Sequence, residues 1–141
     1  MPPFNRLVIL DEVLDGMVAH ARSELPNECC GLLAGLISEG VGYAFVRAPV
    51  RNDLASPTAY LTNAADLFAA FRAMRPKGEE LLAVYHSHPT SAPVPSRRDR
   101  EENTYGETTA HLIVGLAGPE PEVRAWWITE SGFQEVELTT S

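Results

Sequence analysis

Tyr85-His86-Ser87-His88-Pro89-Thr90-Ser91-Ala92-Pro93-Val94-Pro95-Ser96-Arg97-Arg98-Asp99 is the stretch on which the reading of this chain turns. It follows Leu81, Leu82, Ala83 and Val84, an apolar run that fits a buried strand. Side chains alternate along a strand, so His86 and His88 point to the same face. Seven residues separate His88 from Ser96, and Asp99 follows Ser96 by three. Pro89, Pro93 and Pro95 make that spacer a stiff loop, because each ring fixes φ and removes a backbone donor. A helix is expected to start at Ser96. Two imidazoles from a strand end and one carboxylate from the next helix are three ligands for a metal that keeps one position open. A catalytic zinc needs that arrangement.

The same residues admit a plainer reading. Ser96-x-x-Asp99 is also a helix capping box, in which Ser96 accepts from a backbone N–H and Asp99 reaches back. Strand-end histidines are often ordinary core or surface residues. Capping alone, however, does not call for two histidines at alternate positions, and it does not prevent Asp99 from holding a metal.

His86-Ser87-His88-Pro89 with Ser96 and Asp99 resembles the JAMM (MPN+) motif of zinc isopeptidases and peptidases, the JAB-domain family in its compact prokaryotic branch. Pro26-Asn27-Glu28-Cys29-Cys30-Gly31-Leu32-Leu33-Ala34-Gly35 is similar to the family's glutamate-bearing segment, and Asn52, Ser56, Pro57 and Tyr60 to a family linker. The resemblance covers nearly the whole chain. It implies a single α/β domain over residues 1–141, with a curved mixed β-sheet flanked by helices and akin to cytidine deaminases. It implies one Zn2+ per chain on His86, His88 and Asp99. Glu28 would be the general base, taking a proton from the attacking water and passing it to the leaving amine. Ser96 would donate to the carbonyl oxygen as charge develops there, which leaves one hydroxyl with both a capping and a catalytic duty.

Composition agrees with a compact enzyme. The chain of 141 residues is 45% hydrophobic and 21% charged, enough to bury a core. A net charge of −8 opposes a nucleic-acid role, whose footprint is basic. Neither a long apolar run nor a basic-then-apolar leader is present, so no membrane span or signal peptide is expected. The two cysteines, Cys29 and Cys30, are neighbours and poorly placed for an ordinary disulfide, which makes a reducing, cytoplasmic location the expectation. With no histidine or second cysteine pair at finger spacing they do not form a structural zinc site.

Elsewhere the signals are local. Leu7–Leu10 is a first strand, and Asp11 is expected to cap a helix bearing Val13, Leu14, Met17, Val18 and Ala21. His20 lies in that helix without an evident partner. Leu32–Ile37 and Val41–Val46 make a hairpin about Ser38-Glu39-Gly40, and residues 47–62 are expected to be loop. Thr62 or Asn63 caps a helix that Arg75-Pro76-Lys77-Gly78 stops. His111–Val114, Val123–Ile128 and Phe133–Leu138 are strands; His111 is read as structural. Trp126 and Trp127 are adjacent, so one faces the core and the other serves a second layer or a partner.

Competing function classes divide on particular residues. A non-catalytic scaffold of the MPN type would have lost ligands, and all five positions are present. A zinc deaminase needs H-x-E with P-C-x-x-C, which is absent. The DNA-repair branch usually carries Asn where Ser87 stands. Between Asp99 and the next strand only Arg100–Ala110 intervene, too few for the inserted loops of polyubiquitin-cutting relatives. The resemblance therefore implies a ubiquitin-like or sulfur-carrier protein with a C-terminal Gly-Gly tail as substrate, with small peptides as an alternative. The expected docking is strand addition of that tail to a sheet edge, with Arg97, Arg98 and Arg100 available to an acidic carrier or simply solvated.

Overall fold

The structure, a computed structural model, describes residues 2–141, and its strands close into one mixed barrel. In chain order the elements are β1 (Arg6–Ile9), α1 (Asp11–Ser23), β2 (Cys30–Ser38), β3 (Val41–Val50) and α2 (Ala64–Met74). A short 3-10 turn, Arg75–Lys77, leads to β4 (Glu80–His88), α3 (Arg97–Glu101), β5 (Ala110–Gly115), β6 (Glu122–Thr129) and β7 (Gly132–Thr140). Around the barrel the order is β1-β3-β2-β4-β5-β6-β7. β1 runs parallel to both β3 and β7, and β4 runs parallel to β5; the remaining pairs are antiparallel. The α/β class and mixed sheet are as expected. Closure carries the curvature further than the sequence reading did.

That closure leaves β4 paired on both sides along most of its length. On β4, His86 lies between Cys30 of β2 and Ile113 of β5, whereas His88 pairs with Gly115 of β5 and has no ladder partner on the β2 side. The β2 ladder thus ends at His86, one pair short of His88.

Each sheet face has its own core. On one face α1 lays Val13, Met17 and Ala21 against Leu33, Tyr85, Leu112 and Trp127. On the other, α2 covers Cys30, Leu32, Val50 and Val84 with Leu67, Ala70 and Met74. Each large side chain buried this way contributes about 1.5–3 kcal/mol relative to exposure. Cys29 belongs to the first face and Cys30 to the second, and both thiols are free. The tryptophans divide as alternation requires, yet both are buried, Trp126 with its indole N–H donating to Pro93 O at 2.9 Å. Trp126 therefore holds a second layer.

Three local expectations are corrected. Leu10, not Asp11, is the N-cap of α1 and makes no side-chain bond; Asp11 opens the first turn, where its charge suits the helix dipole. β3 continues through Pro49 to Val50, where residues 47–62 had read as loop. Beyond Ala44 it has only β2 as a neighbour, the setting in which a strand tolerates proline. His20 does have a partner: its Nδ1 lies 2.7 Å from the Tyr85 hydroxyl, which also accepts from Arg47. That half-buried trio explains Gly16, whose missing Cβ would sit 2.6 Å from Arg47 Nε.

Candidate metal centre and active site

Alternation along β4 puts His86 and His88 on the α2 face, with Ser87 turned to the other. The next turns of chain are fastened at several points. His88 Nδ1 donates to Ala92 O at 2.8 Å, Leu116 N–H donates to His88 O, and Trp126 anchors Pro93. Pro93 also packs on Gly115, where a Cβ would come within 2.7 Å of its Cδ. The stiff loop so held delivers Ser96 as N-cap of α3.

The capping box and the candidate ligand set share one atom, Asp99 Oδ2. Asp99 N–H donates to Ser96 Oγ at 3.0 Å, and Ser96 N–H donates to Asp99 Oδ2 at 2.9 Å. That Oδ2 lies 3.1 Å from His86 Nε2 and 3.0 Å from His88 Nε2, and the two Nε2 atoms are 3.2 Å apart. Among the described residues this is the group of side chains that could hold a metal ion. The fit is good on chemical grounds. The Ala92 carbonyl takes the His88 Nδ1 proton, so the Nε2 lone pair of neutral His88 faces the cluster. Two ring nitrogens and a carboxylate oxygen then converge from two elements, leaving further positions open.

Glu28 precedes β2 and is only 4% exposed, with Oε1 buried and without a hydrogen-bond partner. Burial first, and the Asp99 charge second, push its pKa up to about 8. Burial also opposes ionisation of Asp99, but hydrogen bonds from His86 and His88 outweigh it and hold its pKa well below the carboxylate range. Burial lowers the His86 pKa; for His88 the Asp99 carboxylate and the Ala92 carbonyl overcome burial and raise it. A cation among these donors would favour ionised Glu28 as well.

The structure thus brings Glu28, His86, His88, Ser96 and Asp99 to one face and separates Ser87 from them. Ser87 Oγ accepts from Cys29 N–H at 2.8 Å, a structural task. Two neighbours were not assigned to the site from sequence: Tyr60 was placed only in the family-like linker, and His111 was read as structural. Tyr60 stacks on His86, ring centroids 4.5 Å apart and planes 21° from parallel. His111 lies on the same face, its two ring nitrogens buried without partners, and burial followed by His86 brings its pKa down to about 4. An aromatic three residues after Pro57 was the available signal for Tyr60; nothing in the local pattern distinguished His111. Beside Asp99 opens a groove of about 400 Å³ walled by Leu54, Tyr60, Leu61, Arg98 and Tyr105. Arg97 and Arg98 pair with Glu101 and Glu102 of their own helix, and Arg100 lies over Phe133, which favours the solvated-face reading.

A His-x-His strand end, a capped carboxylate and a buried glutamate thus stand together on a closed mixed barrel. Residues 10–129 match the family described as prokaryotic homologs of the JAB domain, and the chain belongs to that family. It is 35% identical over 131 residues to the CysO-cysteine peptidase of Mycobacterium tuberculosis, covering 92% of this chain and 87% of that protein. Identity is 33% over 139 residues to a desampylase of Haloferax volcanii, spanning 95% and 96% of the two chains. A probable TtuB-protein conjugate cleaving protease of Thermus thermophilus is 38% identical over 128 residues, 89% of this chain and 77% of that one. A solution structure from Desulfitobacterium hafniense superposes with a TM-score of 0.88 at 29% identity, covering 96% and 92% of the chains. Among the described residues no helix is long and apolar enough to cross a membrane.

Proposed function

We propose that residues 1–141 act as one domain, a zinc-dependent (iso)peptidase that hydrolyses the amide bond after the C-terminal tail of a ubiquitin-like or sulfur-carrier protein. The convergence of His86, His88 and Asp99, with the unpartnered Glu28 carboxylate in electrostatic reach, carries the reading. These three residues would hold one zinc. When bound, zinc supplies a Lewis acid that brings the pKa of water from about 15.7 toward about 7. Glu28 takes the proton of the attacking water and returns it to the leaving amine. Ser96 meets both its duties: its oxygen accepts from Asp99 N–H, which leaves the hydroxyl proton free to donate to the carbonyl oxygen. Free, buried Cys29 and Cys30 suit a reducing, cytoplasmic setting.

Ser96→Ala is expected to lower kcat by about 10²–10³-fold with zinc still bound, as loss of an oxyanion donor does. Steady-state kinetics with a melting curve separate this from the pure capping role, which would lower the melting temperature alone.

The tail belongs in the groove beside Asp99, which opens directly onto a candidate ligand. Relatives named for carrier conjugates support that class of substrate. Glycines let a tail's backbone approach the ligands closely. The test offers matched conjugates with Gly-Gly or Val-Val before the scissile bond. Preferential cleavage after Gly-Gly is expected; equal cleavage of both would eliminate tail selection.

A further inference from the structure

Glu28 has a carboxylate whose Oε1 no protein group holds, so its position is inherited from the main chain on either side. Four hydrogen bonds fix that main chain, one of them from Ser87 N–H to Cys29 O at 3.2 Å. Glu28 N–H donates to Ser56 O at 2.8 Å, Asn52 Nδ2 donates to Glu28 O at 3.1 Å, and Cys29 N–H donates to Ser87 Oγ at 2.8 Å. Asn52 does more than the others. Its Nδ2 also donates to Ala59 O at 3.0 Å, and its Oδ1 accepts from both Leu54 N–H and Leu61 N–H at 3.0 Å. A carboxamide has two donors and one oxygen with two lone pairs, and here all four are used. Leu54, Ala59 and Leu61 are walls of the groove beside Asp99.

We propose that Asn52 is a positioning residue that ties the Glu28 backbone to the groove wall, so that occupancy of the groove fixes the carboxylate for proton transfer. This rests on the reading of Glu28 as general base and of the groove as the tail's seat. The side chain reaches neither the metal ligands by hydrogen bond nor the reacting atoms; it acts through Glu28 O on one side and the Leu54–Leu61 segment on the other. Ser87 supplies the contrast. It holds the Cys29 amide beside Glu28 but makes no side-chain hydrogen bond to a groove residue among those described, so its loss disturbs the base without disturbing the seat.

The informative variant is Asn52→Asp. It keeps an acceptor for Leu54 and Leu61 but turns an oxygen, with no proton to give, toward the carbonyls of Glu28 and Ala59. Displacing a catalytic group by about 1 Å can cost about 10²-fold. Asn52→Asp is therefore expected to lower kcat by about 10²-fold and to raise KM, with zinc content unchanged. Ser87→Ala should lower kcat with KM unchanged, and Ser87→Thr, which keeps the hydroxyl, should restore it. A second readout needs no turnover. In the wild type, a synthetic peptide ending in Gly-Gly should slow hydrogen exchange at the Glu28 and Cys29 amides; in Asn52→Asp it should not. Should Asn52→Asp not fold, Asn52→Ser carries the same comparison. Wild-type kcat in the Asn52 variant, or peptide-induced protection that survives the substitution, would overturn the proposal. Absence of cleavage by the wild type would instead contradict the peptidase reading, and the exchange measurement would still decide the link between groove and Glu28.

Discussion

Glu28→Gln is expected to lower kcat by about 10²–10⁴-fold, the usual contribution of a positioned general base, while one zinc per chain stays bound. The substitution keeps size and backbone but removes the lone pair that accepts the proton. It has a second consequence, in the metal-free protein. With the folded-state pKa of Glu28 raised to about 8, the native state binds a proton more tightly than the unfolded chain does. Stability then falls as pH rises from the ordinary glutamate range through about 8, because ionising a buried and unpartnered carboxyl is unfavourable. Glutamine cannot ionise. Metal-free Glu28→Gln should therefore melt higher than metal-free wild type at pH 8, and the two should converge near pH 4. An inactive protein that is more stable at alkaline pH is the pattern of a base held at some energetic cost. Near-native kcat in Glu28→Gln would show that another group takes the proton.

His88→Ala acts on the other half of the centre. It removes one of three ligands, so zinc affinity should drop by more than the about 10–100-fold typical of a partner outside the ligand set. Activity should fall to background with it. His88 also donates through Nδ1 to Ala92 O and lies 3.0 Å from Asp99 Oδ2, so the proline loop and the capped carboxylate lose a common anchor. Melting should accordingly fall in the metal-free protein too. Elemental analysis after dialysis reads the first effect and calorimetry the second. Full zinc occupancy in His88→Ala would remove His88 from the ligand set. The contrast with Glu28→Gln, inactive but zinc-loaded, separates ligand from base.

Much of this centre was legible because alternation and spacing are local properties. His86 and His88 share a face wherever β4 goes, and Ser96-x-x-Asp99 forms its capping box from backbone geometry alone. Glu28 was legible only by resemblance, since a lone glutamate before an apolar strand carries no pattern of its own. Its burial beside Asp99 depends on residues far along the chain meeting it. Asn52 shows the same limit more sharply. Its four hydrogen bonds join Glu28, Leu54, Ala59 and Leu61, a set that no periodicity marks. His20 lacked a visible partner because Tyr85 reaches it from 65 residues away. Barrel closure was equally hidden: β1 must meet β7 from the opposite end of the chain, and nothing in either strand announces that pairing.

Mass spectrometry of a carrier-protein conjugate after incubation with the zinc-loaded protein is the most direct measurement. The account predicts release of the free carrier ending in Gly-Gly together with its amine partner, no release by the metal-free protein, and recovery when zinc is returned. Cleavage that proceeds undiminished without metal, or an intact conjugate in the presence of fully zinc-loaded wild type, would contradict it.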